Sequence, residues 1–459
     1  MSSTFKSLNL RPELLDSLKI LKFEQMTPVQ EKSLPYILEG KDVLAQAKTG
    51  SGKTAAFGLG LLNSIDFNRK SVHSLVLCPT RELAEQVCTE LRKLATSLAN
   101  VKIVSICGGA SESSQERSLS ANPQIVVGTP GRLLHLLKKE SLSLKDLKTC
   151  VLDEADRMLD MGFTDEIEAI FKFLPKKRQS LLFSATFPED IKSISADFQT
   201  DAVEVEVDAT HSENKIEDVF FEVRPTQDKN NLLYKILGQY KPKRAIVFCR
   251  TKKETLDVTE FLSGRSVSAK CLNGDLEQRD RTEVFTKFSN QSISILVATD
   301  VAARGLDVEN LPAVINYNMP ATAEDYIHRI GRTGRAGKKG LAFSFFNPAE
   351  SFRLEEIAEL KGEPCTIKDA SNLSFTEKYR PTPPMTTIYV SGGKKDKLRP
   401  GDLVGALTGE AKLYANDIGD INIHQTFSFV AIKRSRAKQA VERLSAGRIK
   451  KKKFKVGFA

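Results

Sequence analysis

The sequence predicts an α/β protein with two tandem parallel-sheet lobes, followed by a small C-terminal α+β domain. Three observations predict this fold class. Apolar, strand-like runs alternate with helical patterns over two long stretches of similar size, as expected for parallel sheets covered by helices on both faces. A proline-rich segment ends this alternation, and shorter elements in a different order follow it. The length of 459 residues also exceeds what one hydrophobic core supports.

The first lobe is expected at residues 1–207, followed by a polar linker at 208–218. Its strands are short apolar runs bounded by polar residues, and its helices have a 3.6-residue period. The expected helices include Arg81–Ala99 and Pro130–Lys138. The expected strands are Asp42–Gln46, Ser74–Cys78, Val101–Cys107, Gln124–Thr129, Thr149–Asp153 and Ser180–Ser184.

The second lobe is expected at residues 219–378, where the same alternation resumes. A parallel sheet is again predicted, because helical patterns separate the apolar runs. The expected helices include Lys252–Leu262 and Glu277–Phe288. The expected strands are Ala245–Cys249, Ser268–Leu272, Ile293–Ala298, Ala313–Tyr317 and Leu341–Phe346.

The C-terminal domain is expected at residues 386–459, after a proline-rich linker at 379–385. Residues 384–459 contain 16 Lys and Arg against 6 Asp and Glu, so they account for the whole net charge of +10. This asymmetry predicts a module that binds a polyanion, most plausibly nucleic acid. The expected βαββαβ elements are Thr386–Val390, Asp402–Leu407, Asp420–Ile423, Thr426–Ile432, Ala437–Leu444 and a strand within Phe454–Phe458.

Composition and cysteine usage exclude several classes of protein. The chain is 41% hydrophobic and 27% charged, which is typical of a packed globular protein. No apolar run approaches the length of a membrane span, and the N-terminus lacks a signal-peptide core, so we expect a cytoplasmic protein. The seven cysteines are scattered without a Cys-x-x-Cys pair, which argues against a zinc site. Cys78 and Cys249 lie in strand-like runs and are expected to be buried free thiols.

A phosphate-binding loop is predicted between the first strand and the helix that follows it. The stretch reads Ala-Lys-Thr-Gly-Ser-Gly-Lys-Thr over residues 47–54, with Ala47 in place of the usual first glycine. Gly50 and Gly52 let backbone N–H groups point at a phosphate, Lys53 supplies charge near the terminal phosphates, and Thr54 supplies a hydroxyl for Mg²⁺. A glycine-rich turn before an ordinary helix is the alternative.

An acidic tetrapeptide, Asp-Glu-Ala-Asp at residues 153–156, follows a buried strand. Ligands of open α/β sheets bind at the carboxyl ends of the strands, so this segment should face the phosphate loop. We assign Asp153 to the metal ion and Glu154 to the attacking water. Alone, the tetrapeptide would be a solvated helix start; the phosphate loop favours the functional interpretation.

In sequence and order, these motifs resemble those of the DEAD-box RNA helicases, from Phe23 to Arg335. That family has two RecA-like lobes, and the resemblance covers most of both. Individually the short motifs are weak, but together they are specific. The remaining matches are Thr27–Gln30, Pro79–Leu83, Gly108–Gly109, Thr129–Arg132, Ser184–Thr186, Phe248–Thr251, Gln278–Arg281, Ala298–Asp307 and His328–Arg335.

For the nucleotide, the resemblance implies that Phe23 stacks on adenine, that Gln30 bonds its edge and that Asp307 meets the ribose, so ATP with Mg²⁺ is the expected ligand. A buried aromatic and a helix-capping amide are the alternatives for Phe23 and Gln30. Lys22 stands where the family often has glycine. The expected cofactor-binding residues also include Thr49, Gly50, Ser51, Gly52, Lys53 and Thr54, and the expected coupling residues are Asp156, Ser184, Thr186 and His328, for which ordinary loop hydrogen bonds are the alternative.

The arginines of the second lobe are expected to complete catalysis. By resemblance, Arg332 and Arg335 reach the terminal phosphate where charge develops, whereas Lys53 and Glu154 belong to the first lobe. Hydrolysis should therefore require both lobes, because an arginine finger is typically worth about 10³–10⁵ in rate.

RNA contacts are also implied by the resemblance, mainly to phosphates and sugars, which carry no base sequence. A structural role is the alternative for the threonines and glycines. The expected contacts are Thr80, Arg81, Gly109, Thr129 and Arg132 in the first lobe, and Arg250, Gly274, Gln278, Arg281 and Thr299 in the second.

The basic C-terminal domain, residues 386–459 (the tail domain), resembles an RNA-recognition module, so we call it RRM-like. Tyr389 is expected to stack on a base, although Tyr389, Phe427 and Phe429 could equally belong to a core. Joined to a minimal core, this domain resembles the bacterial DbpA subgroup, whose tail binds a hairpin of 23S ribosomal RNA. The expected basic RNA-binding residues are Lys394, Lys395, Lys397, Arg399, Arg448, Lys450 and Lys452.

The sequence therefore predicts an RNA-stimulated ATPase that separates short RNA duplexes beside a tail-bound 23S ribosomal RNA hairpin, on pre-50S particles, during large-subunit assembly. We expect a monomer. An ATP-gated clamp that holds RNA without separating strands is one alternative, and a DNA helicase is another.

Overall fold

The computed structural model describes residues 4–47, 50–186, 189–207, 216–224, 228–303, 308, 310–334, 339–373 and 378–459. These residues form two compact units. The first unit contains the first lobe, up to residue 207, and the second unit contains the second lobe together with the tail domain, from residue 216 onward. Among the described helices, none is both long and apolar enough to span a membrane.

The first lobe is a seven-stranded parallel sheet with helices on both faces. The strand order is β3-β4-β2-β5-β6-β1-β7, and each face packs against its own apolar cluster. The strands are β1 (Val43–Gln46), β2 (Ser74–Leu77), β3 (Ile103–Ile106), β4 (Ile125–Gly128), β5 (Thr149–Asp153), β6 (Gln179–Ser184) and β7 (Val203–Glu206). The helices are α1 (Pro12–Ile20), α2 (Pro28–Leu38), α3 (Lys53–Asn63), α4 (Arg81–Leu94), α5 (Glu112–Leu119), α6 (Pro130–Lys138), α7 (Ala155–Asp160), α8 (Thr164–Phe171) and α9 (Glu189–Phe198).

The second lobe is a six-stranded parallel sheet with the order β10-β11-β9-β12-β13-β8. Its two faces also pack against separate apolar clusters. The strands are β8 (Ile216–Glu222), β9 (Ala245–Cys249), β10 (Ala269–Leu272), β11 (Ile295–Thr299), β12 (Ala313–Asn316) and β13 (Gly340–Phe346). The helices are α10 (Lys229–Tyr240), α11 (Lys252–Gly264), α12 (Gln278–Ser289), α13 (Asp300–Ala303), α14 (Ala323–Ile330) and α15 (Ser351–Lys361).

The tail domain is a four-stranded antiparallel sheet with two helices packed on one face. Its strand order is β15-β16-β14-β17, and its own core includes Ile388, Leu403 and Val430. This arrangement confirms the predicted α+β class. The elements are β14 (Met385–Val390), α16 (Pro400–Gly409), β15 (Ile418–Ile423), β16 (Ser428–Lys433), α17 (Ala437–Ala446) and β17 (Val456–Phe458).

Part of the other face of the tail sheet is buried as well. Thr387 and Phe429 lie on this face and are 2% and 1% exposed. The Thr387 hydroxyl is within 3.2 Å of Asn290 Oδ1 and 2.8 Å of Ser292 Oγ, both in the second lobe. The Arg279 guanidinium, on α12, lies over the ring of Tyr389. The tail domain therefore packs against the second lobe through the face that carries Tyr389.

Several predicted boundaries differ from the observed ones. Helix α4 ends at Leu94 instead of Ala99, because the Ser97 N–H bonds to Ser17 Oγ on α1 instead of continuing the helix. Strand β8 begins at Ile216, inside the predicted 208–218 linker. Tyr379, placed in the predicted 379–385 linker, is buried in the core of the second lobe and donates to the Pro242 carbonyl.

Strands β7 and β8 were not predicted, and their positions explain why. Both are edge strands, and Val203–Glu206 alternates apolar with acidic residues, so one side faces solvent. A search for continuous apolar runs misses such a strand. The prediction of buried free thiols at Cys78 and Cys249 is confirmed.

Candidate nucleotide site and nucleic-acid surfaces

Three adjacent strands of the first sheet bring the predicted nucleotide-binding groups together. Strands β5, β6 and β1 are neighbours, and their carboxyl ends lead to Asp153, Ser184 and the loop before Lys53. All three side chains are buried. Parallel strands end at one edge, so the phosphate loop and the acidic tetrapeptide lie on the same side of the sheet.

The phosphate loop has the backbone that its glycines predicted. Gly50 and Gly52 have φ values of +80° and +95°, a region that favours glycine. A Cβ on Gly52 would lie 2.5 Å from Gln30 Nε2. Gln30 Nε2 donates to the Gly52 carbonyl at 3.1 Å, and its Oε1 accepts from the Thr27 N–H at 3.0 Å. Gln30 therefore caps α2 and also supports the loop.

Phe23 is 38% exposed, so it is not the buried aromatic that we considered as the alternative. Its ring is accessible, as stacking on a base requires. Lys22 has a φ of +60°, the conformation that glycine adopts readily, which accounts for the frequent glycine at this family position. Thr49 and Asp307 lie outside the described residues.

Several buried polar atoms of this edge lack hydrogen-bonding partners within the described part of the chain. Lys53 Nζ, Asp153 Oδ1 and Ser184 Oγ have no hydrogen-bonding partner among the residues that the structure describes. Such atoms are rare in folded proteins and costly. An ammonium for phosphate and a carboxylate for a divalent cation are the chemical groups that Mg²⁺-ATP requires. Half-buried Thr54, next to Lys53, supplies the further hydroxyl.

The pKa of the Asp153 carboxyl reflects its burial at this edge. Burial raises the pKa of the Asp153 carboxyl to about 7, against the opposing attraction of Lys53. The site therefore holds a carboxylate that gains more from a cation than an exposed one would. When bound, Mg²⁺ would supply charge neutralisation at the terminal phosphates.

Glu154 is held in an unusual backbone conformation. It has φ +56° and ψ +53°, the left-handed region, directly before α7. Its Oε2 lies 3.4 Å from a guanidinium nitrogen of Arg157, and both side chains are buried. Arg157 thus lies beside the carboxylate that we assigned to the attacking water, a contact that sequence reasoning missed; its spacing of three residues from Glu154 was the available signal.

Asp156 links two of the predicted coupling motifs. Its Oδ2 accepts from the Ala185 N–H at 3.0 Å, the Thr186 N–H at 3.2 Å and the Thr186 hydroxyl at 3.3 Å. The acidic tetrapeptide and the Ser-Ala-Thr segment after β6 are therefore joined directly. A change at one of these motifs can reach the other through this carboxylate.

In the second lobe, Arg329 forms a partly buried ion pair that sequence reasoning missed, with the Arg329 side chain 5% exposed and that of Asp300 29% exposed. Two of its nitrogens each donate to one oxygen of Asp300 at 2.6 Å. Its third nitrogen donates to Asn316 Oδ1 at 3.0 Å and to the Asn318 carbonyl at 2.9 Å. The guanidinium also lies over the Phe248 ring. Arg329 therefore has a structural role, holding α13 and α14 to the sheet.

The other predicted residues of this segment lie close by in sequence. Arg332 is 8% exposed, and His328 is half-buried on α14. Arg335 lies outside the described residues. Three arginines recur at i, i+3 and i+6 in this segment, and only tertiary contacts distinguish the structural one from the predicted fingers.

The predicted RNA contacts of the first lobe lie along the other half of the same edge. Strands β3, β4 and β2 are neighbours, and they lead to Gly109, Thr129 and Thr80. The Arg81 guanidinium lies against Gly109, which has φ +78°. Arg132 donates to the Ala110 carbonyl at 3.2 Å. The structure therefore brings together all five predicted contacts of this lobe.

The second lobe repeats this arrangement. Strands β10, β11 and β9 are neighbours, and Gly274, Thr299 and Arg250 lie at or just beyond their carboxyl ends. Gln278 and Arg281 belong to the first turn of α12. Arg281 donates to the Ala302 carbonyl at 2.8 Å, which places it against the segment that follows Thr299.

The basic segments of the tail domain form one exposed surface. Lys450 Nζ bonds to the Lys397 carbonyl at 2.8 Å and lies 3.3 Å from Asp402, so the loop before α16 and the segment after α17 are adjacent. Tyr389, in contrast, is half-buried beneath Arg279. The predicted basic residues, all exposed, are Lys394, Lys395, Lys397, Arg399, Arg448, Lys450 and Lys452.

Three family models match the chain in succession. The DEAD/DEAH box helicase model matches residues 27–194, and the helicase conserved C-terminal domain model matches residues 228–337. The DbpA RNA binding domain model matches residues 387–457. These ranges correspond to the first lobe, the second lobe and the tail domain.

Relatives and solved structures agree with these models. The chain is 47% identical to the ATP-dependent RNA helicase DbpA of Escherichia coli (strain K12), over 99% of both chains. It is 44% identical to the DEAD-box ATP-dependent RNA helicase CshA of Bacillus cereus, over 81% of this chain and 70% of that one.

Among solved structures, S. cerevisiae Dbp5 bound to RNA and ADP BeF3 matches with a TM-score of 0.73 and 32% identity, covering 80% of this chain and 96% of that one. Mss116p bound to ssRNA and AMP-PNP matches with a TM-score of 0.71 and 29% identity, covering 80% of each chain. Both neighbours share the two RecA-like lobes. With its sequence motifs, its two parallel sheets and its C-terminal RNA-binding domain, the chain belongs to the DEAD-box ATP-dependent RNA helicases, in the bacterial DbpA subgroup.

Proposed function

We propose that this helicase opens short RNA duplexes next to a 23S ribosomal RNA hairpin held by its tail domain, and that it acts on pre-50S particles during large-subunit assembly in the cytoplasm. The observation that supports the proposal is the division of the sheet edge in the first lobe. The groups that we assign to the nucleotide follow β5, β6 and β1, and those that we assign to RNA follow β3, β4 and β2. The match of the tail to a DbpA RNA binding domain supports the choice of target.

In the nucleotide half, each residue has a distinct task. Lys53 holds the terminal phosphates, and Asp153 with Thr54 holds Mg²⁺. Glu154, which forms an ion pair with Arg157, orients and deprotonates the attacking water. Arg332 and Arg335 supply charge at the developing transition state, and Asp307 and Phe23 bind the nucleoside. Turnover therefore needs groups from both lobes.

In the RNA half, the contacts suit a ribose-phosphate backbone. Thr80 and Thr129 offer hydroxyls, Gly109 and Gly274 offer accessible backbone, and the arginines offer charge. Such contacts carry no base sequence, so preference for one RNA must come from elsewhere. The exposed basic surface of the tail domain is the source that we favour, because the sheet face with Tyr389 packs against the second lobe.

A duplex that carries the 23S hairpin as an extension tests this proposal. We expect ATP-dependent strand separation to exceed that of the same duplex without the hairpin. Replacing Lys394, Lys395 and Lys397 with glutamine should remove this excess and leave ATP turnover on unstructured RNA unchanged. A matched variant, with Lys412, Lys438 and Arg443 replaced by glutamine, removes the same charge elsewhere on the tail and should retain it.

Three outcomes contradict parts of the proposal. ATP-dependent retention of the duplex without strand separation would favour the clamp alternative. Equal stimulation of turnover by DNA and RNA of one sequence would favour a DNA helicase. Equal loss of hairpin preference in both triple variants would mean that net charge, and not the surface around Lys397, directs the enzyme. Sedimentation of the intact chain tests the expected monomer.

A further inference from the structure

One predicted RNA-binding arginine of the first lobe is held by a carboxylate. A guanidinium nitrogen of Arg132 lies 3.3 Å from Glu112 Oε2, and the Arg132 side chain is 17% exposed. The second terminal nitrogen donates to the Ala110 carbonyl. Glu112 is in turn held by Lys139 at 2.6 Å and by His135 at 3.1 Å. Arg132 is therefore fixed from two sides, with an anion as one partner.

A predicted RNA-binding arginine of the second lobe has the same kind of partner. Arg250 donates to Glu350 Oε1 at 3.0 Å. Glu350 is 14% exposed, and its other oxygen accepts from the Asn347 N–H at 3.1 Å and from the Asn347 side-chain amide at 2.7 Å. This carboxylate is therefore positioned by its own helix start, independently of Arg250. The two pairs belong to different lobes, so they are separate instances.

A carboxylate and a phosphate present similar oxygen pairs to a guanidinium. We propose that Glu112 and Glu350 occupy the positions of RNA phosphates, so that RNA must displace a carboxylate from Arg132 and from Arg250 in order to bind. This inference rests on the proposed RNA role of these two arginines. It makes the two glutamates specificity-determining residues, because they lower the affinity of the core for any RNA.

The expected size of the effect follows from the exposure of the pairs. Each pair joins a largely buried side chain to a more accessible one, and accessible ion pairs shift an equilibrium constant only about 1.4- to 5-fold. A penalty of this size discourages binding of free RNA from solution. RNA already bound by the tail domain is present at a high effective concentration and overcomes the penalty. The glutamates therefore sharpen the preference for tail-bound RNA.

The test uses isosteric charge removal in the full-length protein. Glu112→Gln and Glu350→Gln should each lower the KM for unstructured RNA in the ATPase assay by about two- to fivefold, with kcat unchanged. Glutamine can still accept hydrogen bonds from Asn347 or Lys139. The matched control for Glu112 is Glu116→Gln, which also removes a partner of Lys139, whereas the carboxylate that pairs with Arg132 is that of Glu112. Exposed Glu355, on α15, is the control for Glu350.

Four outcomes separate this inference from the proposed function. A lower KM in the two test variants, with no change in the two controls, supports displacement. Equal decreases in test and control variants would mean general electrostatics and overturn it. A raised KM in Glu112→Gln would make Glu112 a support of RNA binding and also overturn it. If Arg132→Gln leaves the KM unchanged, Arg132 does not bind RNA, and the proposed function is contradicted at this residue. In that case the double variant, Arg132→Gln with Glu112→Gln, should have the same KM as Arg132→Gln alone.

Discussion

The two lobes place buried polar groups at the same edge of the same kind of sheet, but the groups are satisfied in different ways. In the first lobe, Lys53 Nζ and Asp153 Oδ1 have no hydrogen-bonding partner among the described residues. In the second lobe, Arg329 bonds to both oxygens of Asp300 and to Asn316. Within the described residues, the buried guanidinium of the second lobe is satisfied by protein groups, whereas these two atoms of the first lobe are left for a ligand.

This difference indicates how the two lobes divide the work. Unsatisfied buried charge is costly, so we expect the first lobe to gain stability when Mg²⁺-ATP binds. The second lobe holds α13 and α14 through its own side chains, so we expect this segment to be ordered without a ligand. The edge of a parallel sheet can therefore bind a ligand where its buried charges lack protein partners. Where such partners are present, the same edge can hold the neighbouring helices in place.

The largest expected effect is the loss of stability when the Arg329–Asp300 ion pair is broken. Arg329→Ala leaves Asp300 without its bidentate partner, and because Asp300 is 29% exposed we expect a cost of about 3 kcal/mol, the lower end of the range for fully buried ion pairs. Hydrogen exchange at β11 and β12 should accelerate accordingly. Arg265→Ala is the control, because Arg265 lies over the Phe261 ring on the surface of the same lobe. A loss below about 1 kcal/mol for Arg329→Ala would remove the contrast between the lobes.

Binding of Mg²⁺-ATP should stabilise the first lobe by providing partners for its buried charges. At a hundredfold excess over its Kd, Mg²⁺-ATP should stabilise the protein by about 2.7 kcal/mol. Without RNA, this gain should be concentrated in the first lobe, at the amides of β1, β5 and β6. Hydrogen exchange with and without the nucleotide measures it. Protection that is larger in the second lobe would contradict this view of the two edges.

The pH dependence of nucleotide affinity should follow the ionisation of Asp153. Burial raises the pKa of this carboxyl to about 7, and Mg²⁺ requires the carboxylate, so protons compete with the metal below that pH. Apparent affinity should fall about tenfold, or roughly 1.4 kcal/mol, between pH 8 and pH 6. Titration with a fluorescent nucleotide checks this, and the same titration without Mg²⁺ is the control. A flat profile with Mg²⁺ would place Asp153 away from the metal.

The smallest effect on the free energy of unfolding is expected for Lys53→Met, measured without nucleotide. The Lys53 Nζ makes no hydrogen bond with the described residues, so its removal should change the free energy of unfolding by less than about 1 kcal/mol. The stabilisation by Mg²⁺-ATP should disappear in the same variant. A loss as large as that of Arg329→Ala would mean that Lys53 is a structural residue.

The sequence was sufficient for the elements with continuous apolar runs. Thr149–Asp153, Pro130–Lys138 and Ala245–Cys249 have the predicted bounds, because fully buried strands and amphipathic helices are marked by local patterns. The edge strand β7 was not predicted, since its alternating acidic residues do not distinguish it from a loop, and β8 was not predicted because its first residues, Ile-Glu-Asp, continue the polar segment before it. Helix α4 was predicted too long, because the contact that ends it involves Ser17, on another helix.

For the site, the sequence alone determined which chemistry is present. The glycines, Lys53, Thr54 and the acidic tetrapeptide are local motifs, because a phosphate loop and a metal ligand each need few neighbouring residues. Partners brought from distant positions were decided only by the tertiary structure. Arg329 became structural because Asp300 and Asn316 surround it, and Arg132 acquired Glu112 from α5. Ion pairing depends on distances between side chains far apart in sequence, and folding alone sets those distances.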